Sequence, residues 1–220
     1  MKILVTAGPT REPIDAVRFV GNRSSGRMGL ALAQAVVATG HSLTLLWGSA
    51  AEGHDSALAG LPATRVDRFD CSSELFGLLQ THWPDHDVLI MSAAVADFRP
   101  RSATEDKMDR SDGPVTIVLD PVADLVAAMA ARKRPDQFVV AFALEEADRL
   151  EQRAAMKMRQ KGVDAVVANP LATIGHDHIS PLWLTATGDR QKIGRMTKPA
   201  FARWLVRKIE ASISLGRDNA

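Results

Sequence analysis

The feature that most constrains the fold of this chain is a regular alternation of short apolar runs with stretches of helical periodicity. The run over residues 87–95 is apolar on both faces, which is typical of a central strand in a parallel sheet. The predicted strands cover residues 3–7, 42–47, 63–69, 87–95, 115–119, 138–144 and 164–168. The predicted helices cover residues 26–39, 74–82, 122–132 and 145–161, and Pro199 opens a last one.

This alternation predicts an α/β fold, namely a Rossmann-like three-layer αβα sandwich with a mostly parallel sheet. Short apolar runs on either side of a turn add a C-terminal β-hairpin over residues 180–195. The sequence contains no internal repeat or low-complexity linker, so residues 1–220 are predicted to form a single domain. The longest irregular stretch, residues 97–114, carries nine charged residues and has the length of a lid loop.

Charge and cysteine content limit the partners and the compartment. Lysine and arginine number 27 against 26 acidic residues, so no overall field would recruit nucleic acid or an anionic membrane. The single cysteine, Cys71, excludes an internal disulfide framework and suits a reducing compartment. No apolar run approaches the roughly 20 residues that a membrane helix needs, and the first residues lack a signal-peptide pattern. We therefore expect a cytoplasmic protein.

Ligands of parallel α/β sheets bind beyond the carboxyl ends of the strands, and the first such loop is unusually long. It lacks the G-x-G-x-x-G pattern of dinucleotide-binding folds and ends in Ser24, Ser25 and Gly26, directly before a helix. Hydroxyls, backbone N–H groups and the helix dipole would all face an anion there. The alternative is that Ser24 or Ser25 simply caps the helix.

Two common nucleotide-binding classes are excluded by residue identity. Gly21 and Gly26 have the spacing of a P-loop, but Arg27 and Met28 stand where lysine and serine or threonine are required. The chain has no tyrosine, so the tyrosine–lysine proton donor of a short-chain reductase cannot be built. A nicotinamide-dependent oxidoreductase is therefore disfavoured.

The most apolar strand leads into Ala93, Ala94 and Asp97. Small residues let a ligand approach the backbone, and Asp97 could accept ligand hydroxyls or face a metal. The plainer interpretation makes the alanines packing residues and Asp97 a loop cap. Lys107 follows in the charged loop, where a lysine is usually only solvated.

Further along, Lys157 and Lys161 lie one helical turn apart and could grip a polyphosphate, although a solvated helix face is the commoner explanation. The segment His176-Asp177-His178 is a weak metal signal, and we assign it to the surface, as we do Cys71.

Four segments together resemble the signatures of the phosphopantothenoylcysteine synthetase family. They are residues 6–29, 92–98, 139–146 and 157–169, which occur in the family's order and at similar spacing. The resemblance is strong over residues 1–169 and loose beyond them. It implies a ligase of coenzyme A synthesis in which CTP or ATP activates the carboxylate of 4′-phosphopantothenate. The amine of cysteine then attacks the acyl-nucleotidylate, with Mg²⁺ as cofactor. Residues 142–146 are closer to bacterial members, which favours CTP.

The resemblance also implies roles for individual residues. Lys107 corresponds to the lysine that supports acyl-nucleotidylate formation, and Asn22 to the asparagine that turns this intermediate over with cysteine. Ala93 and Ala94 line the substrate pocket, and metal ligands are not assigned. The implied nucleotide-binding residues, with the anion site included, are Ser24, Ser25, Gly26, Asp97, Ala123, Asp124, Leu125, Val126, Phe142, Lys157 and Lys161.

The chain also departs from the family pattern. Many bacterial members are fused behind a flavin-dependent decarboxylase, whereas we expect a stand-alone ligase here, with a separate decarboxylase as a candidate partner and a homodimer as its assembly. The lysine-rich lid motif reads Lys107-Met108-Asp109-Arg110, and a serine- and aspartate-rich pattern is replaced by residues 176–180. A non-catalytic nucleotide-binding or regulatory subunit is the alternative. Retention of both Asn22 and Lys107 favours the enzyme.

Overall fold

The computed structural model describes residues 1–51, 53–62 and 65–218 of the chain. Its strands are β1 (Lys2–Ala7), β2 (Arg11–Pro13), β3 (Phe19–Gly21), β4 (Ser42–Gly48), β5 (Arg65–Phe69), β6 (Val88–Met91), β7 (Phe98–Pro100), β8 (Leu119–Pro121), β9 (Phe138–Glu145), β10 (Ala165–Pro170), β11 (His178–Ile179), β12 (Leu182–Thr185), β13 (Arg190–Lys192) and β14 (Met196–Thr197). Its helices are α1 (Arg27–Ala38), α2 (Asp55–Ala59), α3 (Ser72–His82), α4 (Leu125–Ala130), α5 (Leu150–Lys161) and α6 (Lys198–Asp218).

One large sheet has the strand order β13-β12-β10-β9-β6-β1-β4-β5. The strands from β10 to β5 pair in parallel, while β12 and β13 form an antiparallel hairpin on the β10 edge. Numbered along the chain, the six parallel strands run 3-2-1-4-5-6 across the sheet, which is the Rossmann arrangement. The predicted fold class is confirmed. The order reverses between β1 and β6, so the chain crosses from β1 to β4 in one direction along the sheet and from β6 to β9 in the other.

The sheet lies between two helical layers. Side chains of one strand alternate between its faces, so Ile3 and Val5 pack towards α1 and α6 whereas Leu4 packs towards α3, α4 and α5. All three of these side chains are completely buried. Burial of an aliphatic side chain of this size stabilises the folded state by roughly 1.5–3 kcal/mol.

Helix α1 lies unusually close to β1. A Cβ atom at Gly29 would stand 2.1 Å from Cβ of Ala7, so only glycine permits this approach. The helix ends as predicted, with Gly40 just past it in the left-handed conformation at φ 77°. The glycine at position 29 therefore sets how near the first turns of α1 come to the end of β1.

Some predicted boundaries are wrong. Residues 115–118 form no strand, and only Leu119 belongs to β8; Val115 and Val118 are more than half exposed, so their apolar pattern does not mark a core strand. The helix predicted over residues 145–161 begins at Leu150. The reason is that β9 continues to Glu145, which pairs with Pro170 of β10.

Other elements are shorter than predicted. The helix predicted over residues 122–132 spans only Leu125–Ala130, and the strand predicted over 87–95 ends at Met91. Of the strand predicted over 63–69, Ala63 and Thr64 lie outside the described residues. Within the described ranges, no helix combines the length and the apolar character needed to cross a membrane.

Candidate active site

The loops that follow β1 and β6 are hydrogen-bonded to each other at the carboxyl end of the parallel sheet. Ala94 N–H donates to Gly8 O at 2.9 Å, and Thr10 N–H donates to Ala94 O at 3.1 Å. Two buried hydroxyls complete the contact: Thr6 Oγ1 accepts from Ala93 N at 3.1 Å, and Thr10 Oγ1 accepts from Ala96 N at 3.0 Å. The crevice at the strand-order reversal therefore has a floor held mainly by backbone groups.

Asn22 lies at the end of β3 and reaches this floor. Its Nδ2 donates to Ala94 O at 3.1 Å and to Val95 O at 2.9 Å. These bonds fix the amide plane and leave Oδ1 without a partner among the described residues, while the residue as a whole is exposed. The structure thus brings Asn22 against Ala94, one of the two alanines that the resemblance assigns to the substrate.

The N-terminus of α1 opens on the same crevice. Its N-cap is Gly26 in the left-handed conformation at φ 74°, without a side-chain cap, and its first turn contains no acidic residue. Ser24 Oγ lies 3.5 Å from Gly26 N, and Ser25 O accepts from the ring of His54. The alternative in which a serine simply caps α1 is therefore wrong. The first N–H groups of a 12-residue helix and the dipole behind them could bind an anion.

The segment predicted as a lid is partly regular. Within residues 97–114, β7 pairs antiparallel with β8, and a short 3-10 turn covers Arg110–Asp112. Asp97 O accepts from Val122 N at 2.9 Å, whereas the side chain of Asp97 is exposed. Lys107 is also exposed, and within the described part of the chain its ammonium has no carboxylate partner. Its charge is available to a ligand.

A buried carboxylate holds the residue next to Lys107. Asp15 Oδ2 accepts from Met108 N at 3.2 Å and also from the guanidinium of Arg18. Burial raises the pKa of the Asp15 carboxyl, but N–H donors from Val17, Arg18 and Met108 and the charge of Arg18 lower it more, to about 2. Asp15 is therefore ionised at any physiological pH.

The predicted nucleotide-binding residues 123–126 lie at the start of α4. Asp124 is the N-cap of that helix, and its Oδ1 accepts from Ala127 N at 3.1 Å. Its Oδ2 forms an ion pair with Lys161. Burial raises the pKa of Asp124, but Lys161 and the N–H groups of α4 outweigh it and hold that pKa below its usual value. Lys161 is thus attached to the N-terminus of α4.

Lys157 lies one turn earlier on α5. Its Nζ stands 2.6 Å from Glu145 Oε1, an ion pair by distance in which Oε1 lacks hydrogen-bond geometry to any described group. Each of the two predicted lysines is therefore paired with a carboxylate. Phe142 lies on the other face of β9, where it packs, half-buried, against the core beneath α1 and α6. The structure does not place Phe142 in the same layer as these lysines.

Residues singled out for metal binding do not converge. Asp177 pairs with Arg27 at 2.7 Å, and His178 is half-buried in β11 rather than on the open surface. Among the described residues, no group of three or more histidine, cysteine or acidic side chains could hold a metal ion. Cys71 is half-buried beside the hydroxyl of Ser73, at 3.0 Å.

The residues that build the crevice floor and the Asp15 contact were not predicted from the sequence. Thr6 and Thr10 flank the predicted loop and carry no special spacing. Asp15 precedes Val17 and Arg18 in a pattern typical of an Asx turn, and this local signal could have been recognised. Its bond to Met108 joins residues 93 positions apart, which no local pattern indicates.

The fold and the crevice define a class: Rossmann-like α/β proteins that bind a ligand where the strand order reverses. Residues 1–213 match the family described as DNA/pantothenate metabolism flavoprotein C-terminal domain, and the chain belongs to this family. The resemblance to phosphopantothenoylcysteine synthetases is thereby confirmed.

Similar proteins point the same way. The bifunctional coenzyme A biosynthesis protein CoaBC of Mycobacterium tuberculosis is 40% identical over 177 residues, which cover 76% of this chain and 41% of the relative. A cysteine/cysteine sulfinic acid decarboxylase from an unknown prokaryotic organism is 35% identical over 214 residues, covering 94% and 57% respectively. The chain thus spans about half the length of the curated relatives it matches.

Solved structures agree on the fold. The crystal structure of the C-terminal domain of a CoaBC protein superposes with a TM-score of 0.80 at 29% identity, covering 97% of this chain and 95% of that one. A Cab2 variant in complex with phosphopantothenate-cysteine superposes with a TM-score of 0.79 at 17% identity, covering 99% and 88%, and at this identity supports the fold alone.

Proposed function

We propose that this chain is a phosphopantothenate–cysteine ligase. A nucleoside triphosphate activates the carboxylate of 4′-phosphopantothenate as an acyl-nucleotidylate, and the amine of cysteine then forms the amide. A carboxylate is a poor electrophile until one of its oxygens belongs to a good leaving group, so the reaction needs sites for several phosphate groups in one crevice. The observation that carries the proposal is the meeting of Asn22 with Ala94 and Val95 beside the uncapped N-terminus of α1.

Each catalytic role follows from what the side chain can supply. Lys107 has an exposed charge that can neutralise phosphate oxygens while the substrate carboxylate attacks the α-phosphorus. Asn22 donates through Nδ2 to the floor of the crevice, so its orientation is fixed before substrate binds. Its Oδ1 can then accept a hydrogen bond from the amine of cysteine and orient this amine towards the acyl carbon.

The nucleotide is proposed to lie between the start of α4 and the lysines of α5. Lys157 and Lys161 are already paired with Glu145 and Asp124, so a polyphosphate would have to compete with these carboxylates for both ammonium groups. We favour CTP over ATP as the co-substrate. The choice of CTP over ATP is likewise part of the proposal.

Mg²⁺ fits this site in the way it usually binds nucleotides, through substrate phosphates and one or two carboxylates rather than a protein cage. The exposed Asp97 at the edge of the crevice is the carboxylate we propose for it. When bound, the ion would offset negative charge on the phosphates.

The direct test measures pyrophosphate release with CTP and with ATP, in the presence of phosphopantothenate, with and without cysteine. The proposal predicts release that requires phosphopantothenate, with steady turnover only when cysteine is added. Tight nucleotide binding without any pyrophosphate release would instead favour the regulatory subunit. Sedimentation of the same sample tests the accompanying proposal of a homodimer. Sedimentation after addition of phosphopantothenoylcysteine decarboxylase tests whether that enzyme is a partner.

A further inference from the structure

Asp15 lies in the turn of the β2–β3 ribbon, and its side chain is completely buried. Its two carboxylate oxygens have different partners. Oδ1 accepts from Val17 N at 2.8 Å and from Arg18 N at 2.7 Å, which closes the local turn. Oδ2 accepts from Met108 N at 3.2 Å and from the Arg18 guanidinium. One side chain therefore both shapes the ribbon and holds a distant loop.

The contact with the loop is reinforced by other groups. The Arg18 guanidinium, held by Asp15, donates to Met108 O at 3.3 Å and 3.4 Å. Four residues earlier, Thr104 N donates to Ile14 O at 3.2 Å. Both backbone groups of Met108 are thus bonded to the ribbon. Lys107 is its immediate neighbour.

The same ribbon ends in Asn22, which is bonded separately to Ala94 O and Val95 O. We propose that Asp15 is a positioning residue: it fixes the segment bearing Lys107 to the ribbon bearing Asn22, so that both act on one acyl group. This inference rests on the proposed function and assigns Asp15 no contact with substrate. The physical reason is that both steps involve one carboxyl group: activation joins its oxygen to the α-phosphorus with loss of pyrophosphate, and amide formation then takes place at its carbon. A misplacement of about 1 Å can cost up to about 10²-fold in rate.

The division of labour between the two oxygens allows a selective variant. In Asp15→Asn, the amide oxygen can keep the bonds from Val17 and Arg18, whereas an NH₂ group replaces Oδ2. That group donates and cannot accept, so the bonds from Met108 N and the Arg18 guanidinium are lost. Asp109→Asn is the matched control, because Asp109 Oδ1 accepts only locally, from Ser111 N and Oγ.

Two measurements test the proposal. Amide hydrogen exchange in Asp15→Asn should rise at Met108 and stay unchanged at Val17 and Arg18. In a first turnover, pyrophosphate release should slow by about ten- to a hundredfold. Attack of cysteine on preformed acyl-nucleotidylate should keep its rate, since Asn22 is anchored independently. Asp109→Asn should match the parent protein in every measurement.

The proposal is overturned if exchange at Met108 rises while pyrophosphate release stays normal, because the contact between Asp15 and Met108 would then not position Lys107. It is equally overturned if exchange rises at Val17 and Arg18 and both half-reactions slow together, which would indicate a collapsed turn. If the parent protein releases no pyrophosphate, the proposed function fails. Amide hydrogen exchange at Met108, compared with that at Val17 and Arg18, still decides whether Asp15 holds the loop.

Discussion

At the floor of the crevice, the loops after β1 and β6 are joined by backbone hydrogen bonds and by the buried hydroxyls of Thr6 and Thr10. At the proposed nucleotide site, which would form its rim, Lys157 and Lys161 are partly exposed side chains in ion pairs, and Lys107 is exposed. The floor is thus specified by packing and satisfied polar groups, and the rim by charged side chains that are at least partly exposed to water. Changes in the floor should cost stability, whereas changes at the rim should cost binding or rate.

The largest effects are expected for Lys107 and Asn22, the two side chains proposed to act on the reacting groups. Lys107→Gln removes the charge while keeping the length, so no burst of pyrophosphate should appear. Asn22→Asp should release pyrophosphate in a first turnover and then stall with acyl-nucleotidylate bound. We expect losses of about 10²–10³ in the affected step, as for other groups that stabilise developing charge.

Quenched-flow analysis with labelled nucleotide follows the intermediate in both variants. Lys107→Gln should change the free energy of unfolding by no more than about 0.5 kcal/mol, because Lys107 is exposed. Asn22→Asp should cost about 1–2 kcal/mol, because a carboxylate cannot donate to Ala94 O and Val95 O. Accumulation of intermediate in both variants, or normal turnover by Asn22→Asp, would contradict these roles.

The next largest effect is expected for Gly29→Ala, which tests the close approach of α1 to the end of β1. The added Cβ would stand 2.1 Å from Cβ of Ala7, so α1 must move away from β1. Overpacking of this kind costs about 1–3 kcal/mol, and we expect roughly 2 kcal/mol from urea unfolding. Gly77→Ala is the control, because Gly77 is helical and nothing lies within 4 Å of its added Cβ. That variant should be more stable by about 0.5–1 kcal/mol; equal losses in both would show that the close approach is unimportant.

A smaller loss is expected when the floor keeps its shape and loses one acceptor. Thr10 is completely buried, and Thr10→Val replaces its hydroxyl by a methyl group of similar size. Ala96 N then lacks its partner, which costs about 1–2 kcal/mol for a buried donor. Thr81→Val on the exposed face of α3 is the matched control and should change the free energy of unfolding by less than about 0.5 kcal/mol. A larger effect at Thr81 than at Thr10 would contradict a floor held by buried hydroxyls.

The contrast between floor and rim also explains what sequence could reveal. The order of elements predicted the fold because each parallel strand is a continuous apolar run, as in β6, where every residue is buried. The exposed run of Val115, Ile117 and Val118 has the same local pattern, yet no strand covers it. Local hydrophobicity cannot report whether a neighbouring strand is present, so the prediction failed there.

Contacts between distant segments were equally out of reach. The long signature over residues 6–29 identified Asn22, but neither its bond to Ala94 nor the bond from Met108 to Asp15 follows from spacing. Both bonds join the segment that follows β1 to the segment that follows β6, and these segments meet only in the folded sheet. Candidate site residues could therefore be proposed from family signatures, whereas the contacts that hold them depend on the tertiary fold.

The smallest stability effect, and the sharpest separation of rim from floor, is expected for Lys161→Gln. Lys161 is 24% exposed and pairs with Asp124; Lys133 is 25% exposed and pairs with Asp164, which lies beside the amino end of β9. The two lysines are matched in chemistry and exposure, and only the first is proposed to bind the nucleotide. Partly exposed ion pairs contribute about 0–1 kcal/mol, so Lys161→Gln should lower the free energy of unfolding by no more than that. Asp124 would still cap α4 through Oδ1.

Nucleotide affinity, measured by calorimetry at low and high salt, should fall in Lys161→Gln and become less dependent on salt, because one cation fewer faces the phosphates. Lys133→Gln should leave both affinity and salt dependence unchanged. Equal affinities in the two variants would remove Lys161 from the nucleotide site and return it to a purely structural pair with Asp124.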